Sequence, residues 1–316
     1  MTLKEQYQVY LEQISSRNRR PVKGATLAAY QSYWRNWIEP VLGDFEVSAV
    51  ENGAMKKLVS KMTASRMSAS SIAGVTNTVK GIVSSAMDEN GNELFPRKWN
   101  SEFIDQPIVD PKAQKTPVLS AQNVTTAIQT ASSTYAPLLA LLAASGLRIN
   151  EALALQIGPN PTESYWDALN AKLVIRTALY RGVSQAPKTA AGVREVDLDP
   201  SLNAYLVRAN LPARGTMFPF PARTLYNALE KMGVPGFHSF RRFRITHLEN
   251  VGVPRGLVMF WTGHAGRDVH DGYVKLGKEI EARKTWAFKA GLNFELPTRQ
   301  ATDAEVVEVE IQALAS

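Results

Sequence analysis

Apolar residues recur at helical spacing through most of the chain. Leu3, Tyr7, Tyr10, Leu11 and Ile14 fall on one stripe, which predicts a helix over residues 3–17. A second stripe after Gly24 carries Leu27, Tyr30, Trp34, Trp37 and Ile38, and Pro40 with Gly43 is expected to end it. A third helix is expected from Gly53 to Met67. In the fourth, Ile72, Val75, Val79, Ile82, Val83 and Met87 repeat at threes and fours until Asn90-Gly91 stops it. Together these predict an all-α bundle over residues 1–103.

The pattern then breaks. Residues 104–117, IDQPIVDPKAQKTP, contain three prolines and no period, and they read as an extended linker. At about 3.3 Å per residue such a stretch reaches some 45 Å. A major groove is only about 12 Å wide, so two domains can lie on opposite sides of a duplex.

Beyond the linker, Ser120 is expected to cap a helix running to Ala131, and a strongly apolar helix follows from Tyr135 to Gly146. Between Lys172 and Asp199 the period changes. Residues 173–180, LVIRTALY, are rich in strand formers. Val193 to Leu198 alternates, with Val196 and Leu198 on one face and Glu195 and Asp197 on the other. A hairpin or small sheet is expected here, with Lys188 near its turn. Helical patterns resume at Leu202–Ala209, Ala222–Met232, His238–Asn250 and Arg255–Thr262. They continue in a helix bearing Tyr273 after Gly266–Val269, and at Lys278–Ala290. The fold class is therefore mainly α with a small β-sheet, an α+β domain over residues 118–294 behind an all-α bundle. The tail, residues 295–316, alternates imperfectly and leaves strand and helix both open.

Charge sharpens the picture. The chain carries a formal net charge of +7 with a pI near 9.5. From Glu295 onward five acids face one base, a net of −4, so residues 1–294 carry +11. Such an excess favours a polyanionic partner. Cations left over in the bundle include Arg17, Arg19, Arg20, Lys23, Lys56, Lys57, Lys61, Arg66 and Lys80. Thr63, Ser65, Ser68, Ser70 and Ser71 are interleaved with them, and hydroxyls are good phosphate partners. Any one of these lysines reads as a solvated surface group; as a set they read as DNA backbone contacts. The absence of cysteine excludes a disulfide framework, a thiolate metal site and a cysteine nucleophile. The N-terminus lacks an apolar signal core, and the longest apolar run, Tyr135 to Leu147, is shorter than the roughly 20 residues of a membrane span. A soluble protein of the cytoplasm, without a membrane role, is expected.

The candidate chemistry lies in the second domain. His238 and Arg241 are three apart, so on a helix they share a face and can converge on one small anionic group. Glu151 lies three residues past Arg148, where it can hold that guanidinium. His264 follows Gly263, Tyr273 comes nine residues later, and Lys188 stands between the two arginines. The elements G146-L-R-I-N-E-A-L, P187-K-T, H238-S-F-R, G263-H-A-G and Tyr273, in this order, resemble the signature of the tyrosine recombinases, the phage-type integrase family. Two positions depart from it. Thr262 stands where an aliphatic residue is usual, and Ser239-Phe240 where Asp or Gly with Leu is commoner. The resemblance covers about Val118 to Ala290, and the bundle only by its size and helical pattern.

The resemblance implies a site-specific recombinase that cuts and rejoins DNA through a 3′-phosphotyrosyl intermediate, without metal, ATP or other cofactor. Two arginines, Arg148 and Arg241, can clamp a phosphodiester bidentately without deprotonating. The phenol of Tyr273, with a reference pKa near 10, would be the nucleophile and His238 would accept its proton. Lys188 would reach the minor groove and protonate the departing 5′ oxygen, and His264 would donate to the phosphate. A covalent intermediate keeps the free energy of the broken bond, so a second 5′ hydroxyl can reverse the attack. His247 and His270 are read as structural, and Tyr180, Tyr205 and Tyr226 do not follow a Gly-His. The expected partners are double-stranded DNA, further copies of the chain forming a tetramer on two DNA sites, and accessory DNA-bending proteins. The two domains would form a DNA clamp, and the acidic tail would dock in trans or cover the basic groove. Integration of a mobile element and resolution of chromosome dimers both remain open. So do two other functions: a type IB topoisomerase that rejoins the original strand, and a DNA-binding protein with a silent site.

Overall fold

The computed structural model describes residues 1–19, 22–110, 117–187, 189–264 and 279–297. The chain forms two compact units, residues 1–114 and 115–316.

The first unit is helical. Helix α1 (Leu3–Ser15) starts at a reciprocal cap in which the Thr2 hydroxyl accepts from the Glu5 amide and Glu5 accepts from that of Thr2. Helix α2 (Gly24–Tyr33) runs through a single wide turn, Trp34–Ile38, into α3 (Glu39–Leu42). Pro40 therefore does not end the helix as expected. It follows directly on the wide turn, at the start of α3, and the helix stops at Gly43. Helices α4 (Asn52–Ala64) and α5 (Ala69–Ser84) follow, then the short α6 (Ser101–Ile104). The α5 helix ends before Met87, which is exposed and pairs with Glu93 in an isolated bridge rather than extending the stripe. Tyr7 of α1 stacks on Trp34 at 4.0 Å, and the buried Gln6 donates to Ser85 at 2.8 Å, which ties α1 to the end of α5. Ile104 is fully buried in this core and Gln106 accepts from Thr76, so the stretch without period belongs to the first unit at its start.

The second unit is built on α8 (Ala136–Ser145), every residue of which is buried. A helix apolar on all sides has to be central. Helices α7 (Ala121–Thr130), α10 (Pro200–Arg208) and α12 (His238–Asn250) pack on it. The remaining α-helices among the described residues are α9 (Ile149–Ala152), α11 (Ala222–Lys231), α13 (Arg255–Thr262) and α14 (Ile280–Ala290).

Seven short strands complete the unit among the described residues: β1 (Gln156–Ile157), β2 (Tyr165–Asp167), β3 (Lys172–Ile175), β4 (Ala178–Tyr180), β5 (Val183–Gln185), β6 (Arg194–Asp197) and β7 (Gly215–Thr216). Five form one sheet in the order β6-β3-β2-β1-β7, antiparallel except for β1 with β2. The other two form a separate hairpin. The expected strand over 173–180 is thus divided. The Ser164 hydroxyl accepts from the amides of Arg176 and Thr177, which takes this backbone out of the sheet ladder. Val196 in β6 and Leu198 just past it face the core as the alternation predicts. Its opposite face is not left to solvent. Asp197 accepts from Trp261 of α13 at 2.8 Å and from Arg283 of α14 at 2.9 Å, and Arg283 also reaches Glu195. Past α14 the chain stays attached, since the Glu295 amide donates to Thr125 and Leu296 packs on the core. The rest of the acidic tail lies outside the described residues.

Candidate active site

Gly146 closes α8 in the left-handed region at φ 66°, which frees the chain to turn directly into α9. Arg148 occupies the N-cap of that single turn, and Glu151 returns to it. The Glu151 carboxylate, 2% exposed, accepts from the Arg148 amide at 3.0 Å and from its Nη1 at 2.8 Å. The Arg148 side chain stays 37% exposed. Its charge remains accessible from outside.

The second arm of the site is the start of α12. His238 is its first residue and is exposed; Arg241, one turn further, is 1% exposed. Arg241 donates Nη1 to the Gly146 carbonyl at 2.7 Å and Nη2 to the Thr262 carbonyl. One guanidinium therefore joins the end of α8 to the end of α13. The same Nη2 lies 3.0 Å from Nε2 of His264, which follows Gly263 just past α13. The Thr262 hydroxyl donates to the Val258 carbonyl, so the 3.3 Å contact with His264 requires Nδ1 to be the donor. Nε2 then presents its lone pair to Arg241.

Electrostatics follow from this crowding. Burial, followed by the like charge of Arg148, pushes Arg241 down to about 10, where it is still a cation near neutrality. Burial and then the charge of Arg241 lower both His238 and His264, with Arg148 adding to each. Burial pushes the Glu151 carboxyl up, but the charge and hydrogen bonds of Arg194 with those of Arg148 outweigh it and hold it below the usual carboxylate range. The result is a cationic pocket with both imidazoles neutral near pH 7.

Arg194 is the residue that the sequence analysis missed. It sits in β6 with its side chain 1% exposed, donates Nη2 to Glu151 at 3.0 Å and Nη1 at 3.4 Å, and binds the carbonyls of Trp261 and Gly192 at 2.7 and 2.8 Å. The signal was present in the alternation. Counting back by two from Leu198 and Val196 puts Arg194 on the inward face.

The structure thus brings together Arg148, Glu151, His238, Arg241 and His264. Lys188, Tyr273 and His270 lie outside the described residues. His247 is buried and bonds the Ala290 carbonyl at 2.7 Å, in keeping with a structural role. In the first unit, Arg17, Arg19, Lys56, Lys57, Lys61 and Arg66 are exposed, while Arg20 is outside the described residues. Lys80 is half-buried and lies over Trp99, and Lys56 lies over Phe103, so both carry their charge on an aromatic face. Among the described residues no cluster of histidines and carboxylates could hold a metal ion, and no helix is long and apolar enough to cross a membrane.

No protein-family model matches the sequence, and no curated protein does. Solved structures match by shape. The Tn1549 transposon integrase in complex with transposon right end DNA gives a TM-score of 0.65 at 16% identity, covering 100% of both chains. A lambda integrase dimer bound to a COC′ core site gives 0.60 at 14% identity, over 96% of this chain and 100% of that one. The chain shares the fold of these integrases. A lambda integrase tetramer bound to a Holliday junction gives 0.59 at 15% identity, over 84% of this chain and 78% of that one. The integrase fold, mainly helical with a small mixed sheet, agrees with the resemblance carried by the motifs.

Proposed function

We propose that this protein is a site-specific DNA recombinase that breaks and rejoins strands through a phosphotyrosyl intermediate on Tyr273. The observation that carries this reading is the convergence of Arg148, Arg241, His238 and His264 on one cationic pocket whose only nearby carboxylate, among the described residues, is already paired with two arginines. A phosphodiester is anionic and gains charge when attacked, so a pocket of fixed donors stabilises the transition state more than the ground state. Neutral imidazoles suit the two proton roles. His238 is free to accept the phenolic proton of Tyr273, and His264 takes up a proton at Nε2, where it now accepts from Arg241, and donates it to the phosphate once that anion is bound. Lys188 supplies a proton to the departing 5′ oxygen. The integrase fold supports DNA as the substrate, since the similar structures hold DNA.

In this reading the helical unit and the unit carrying the pocket, joined near residues 104–117, close around a duplex, and a tetramer carries out exchange. Arg17, Arg19, Arg20, Lys56, Lys57, Lys61, Arg66 and Lys80 contact the DNA backbone.

A nicked suicide DNA substrate tests it. The protein should form a covalent adduct that Tyr273→Phe abolishes. Arg241→Lys should slow adduct formation by about 10²–10³ while leaving DNA affinity nearly intact. Lys188→Ala should recover on a substrate with a 5′-thiolate leaving group, which needs no proton. An adduct that persists in Tyr273→Phe would reject the nucleophile, and relaxation without exchange products from two sites would favour a topoisomerase.

A further inference from the structure

Outside the residues of the recombinase motif, the buried charge with the most ties to the pocket is Arg194. Its guanidinium meets three separate segments. It is paired in a fork with Glu151 below α9, bonded to the Trp261 carbonyl in the last turn of α13, and bonded to Gly192 in the loop that leads into β6. Gly263 lies directly against it, since a Cβ at that position would meet Arg194 Nη1 at 2.8 Å. His264 is the next residue. The same side chain therefore underlies both arms of the site.

Its charge matters as much as its ties. Glu151 is buried and shares its two oxygens between Arg148 and Arg194. With Arg148 as its sole partner, that carboxylate would cancel the charge that an incoming phosphate needs. With Arg194 present, two guanidinium groups face one carboxylate, and a full positive charge remains on the side of Arg148 that is open to solvent. A buried carboxylate that loses one of two cationic partners also pulls harder on the other.

We propose that Arg194 is a positioning residue of the cleavage pocket: it neutralises Glu151 so that Arg148 keeps its charge for a phosphate, and it sets the end of α13 that presents His264. This deepens the recombinase reading and rests on it. Arg194 touches no reacting atom and acts through Glu151 and the Trp261 carbonyl.

Two measurements test it on the full-length protein, the affinity for inorganic phosphate and the single-turnover rate of covalent adduct formation. Arg194→Met should weaken phosphate binding by about tenfold and slow adduct formation by about 10² or more. The double variant Arg194→Met with Glu151→Gln removes both buried charges together, so phosphate affinity should return to within about threefold of the parent. A merely structural arginine would not show that rescue, because the ties to Trp261 and Gly192 are lost in both variants. Parental phosphate affinity in a folded Arg194→Met protein would overturn the proposal, and so would a double variant that binds no better than the single. Should Arg194→Met not fold, Arg194→Lys decides. It loses the fork but keeps a positive charge beside Glu151, and should bind phosphate within about threefold of the parent, so a tenfold loss there would equally overturn it. If the parent protein forms no adduct, the recombinase reading falls, whereas the phosphate series still decides what Arg194 does.

Discussion

Nη2 of Arg241 lies 3.0 Å from Nε2 of His264, and because a guanidinium can only donate, that ring nitrogen is the acceptor of the pair. Protonating His264 breaks this contact and sets two cations together. An oxyanion in the pocket reverses the preference, since it accepts from both.

A pH dependence follows. The unfolded histidines titrate near 6.5, and burial with the neighbouring arginines lowers His238 and His264 below that in the folded chain. Between the folded values and about 6.5 the unfolded state binds more protons, so stability is complete above this window and falls as pH falls through it. Sulfate affinity should move the opposite way, because the imidazolium forms add charge and sulfate keeps its own across this range. Paired thermal midpoints and sulfate titrations between pH 5 and 8 should show both trends in the parent. In the protein carrying His238→Gln and His264→Gln the sulfate trend should flatten, and the stability trend should shrink to the part left by His247, which burial also lowers.

Gly263 should tolerate a side chain far less than Gly146, although both are left-handed helix ends. A Cβ on Gly146 would meet Arg244 at 3.5 Å and Thr262 at 3.8 Å, both ordinary contacts, so Gly146→Ala should cost about 1–2 kcal/mol from its backbone conformation. A Cβ on Gly263 would also collide with Arg194 Nη1 and come 3.1 Å from the Ala191 carbonyl. Gly263→Ala should therefore cost clearly more in chemical denaturation, and only this variant should lose adduct formation beyond what its stability explains.

Arg283→Met should be among the most destabilising changes in the second unit. It leaves Asp197 buried with Trp261 as its remaining side-chain donor among the described residues and removes the bridge from α14 to β6. Breaking a buried pair from one side typically costs about 3–5 kcal/mol. Urea unfolding checks the size, and an effect below about 1 kcal/mol would mean that water reaches Asp197 freely.

The exposed lysines of α4 should act through salt alone. Lys57 and Lys61 are four apart on one helix face. If each meets a phosphate, replacing either by alanine should lower the slope of log affinity against log salt by about 0.9 and weaken binding to all sequences alike. An unchanged slope would take them off the DNA.

Much of the architecture could be read from local pattern. Helices α1, α7, α8, α12 and α13 stand where apolar spacing and caps place them, because a cap such as Ser120 with Asn123 and a stripe such as that of α5 are satisfied within a few residues of chain. His238 and Arg241 share a helix for the same reason. Where the pattern misled, a distant group had intervened. Ser164 divides the strand expected over 173–180 from more than ten residues away, and a wide turn before Pro40 lets a helix continue through it.

By itself, the order of residues determined the helical stripes, the alternation of β6, the basic excess and the spacing of the arginine and histidine motifs. Only the tertiary structure decided which charges pair. Arg241 reaches Gly146 across 95 residues, and Arg194 reaches Glu151 across 43 and Trp261 across 67. The physical reason is that helix and strand periods arise from bonds between near neighbours. A buried charge, by contrast, takes its partner from whatever the folded core brings within about 3 Å.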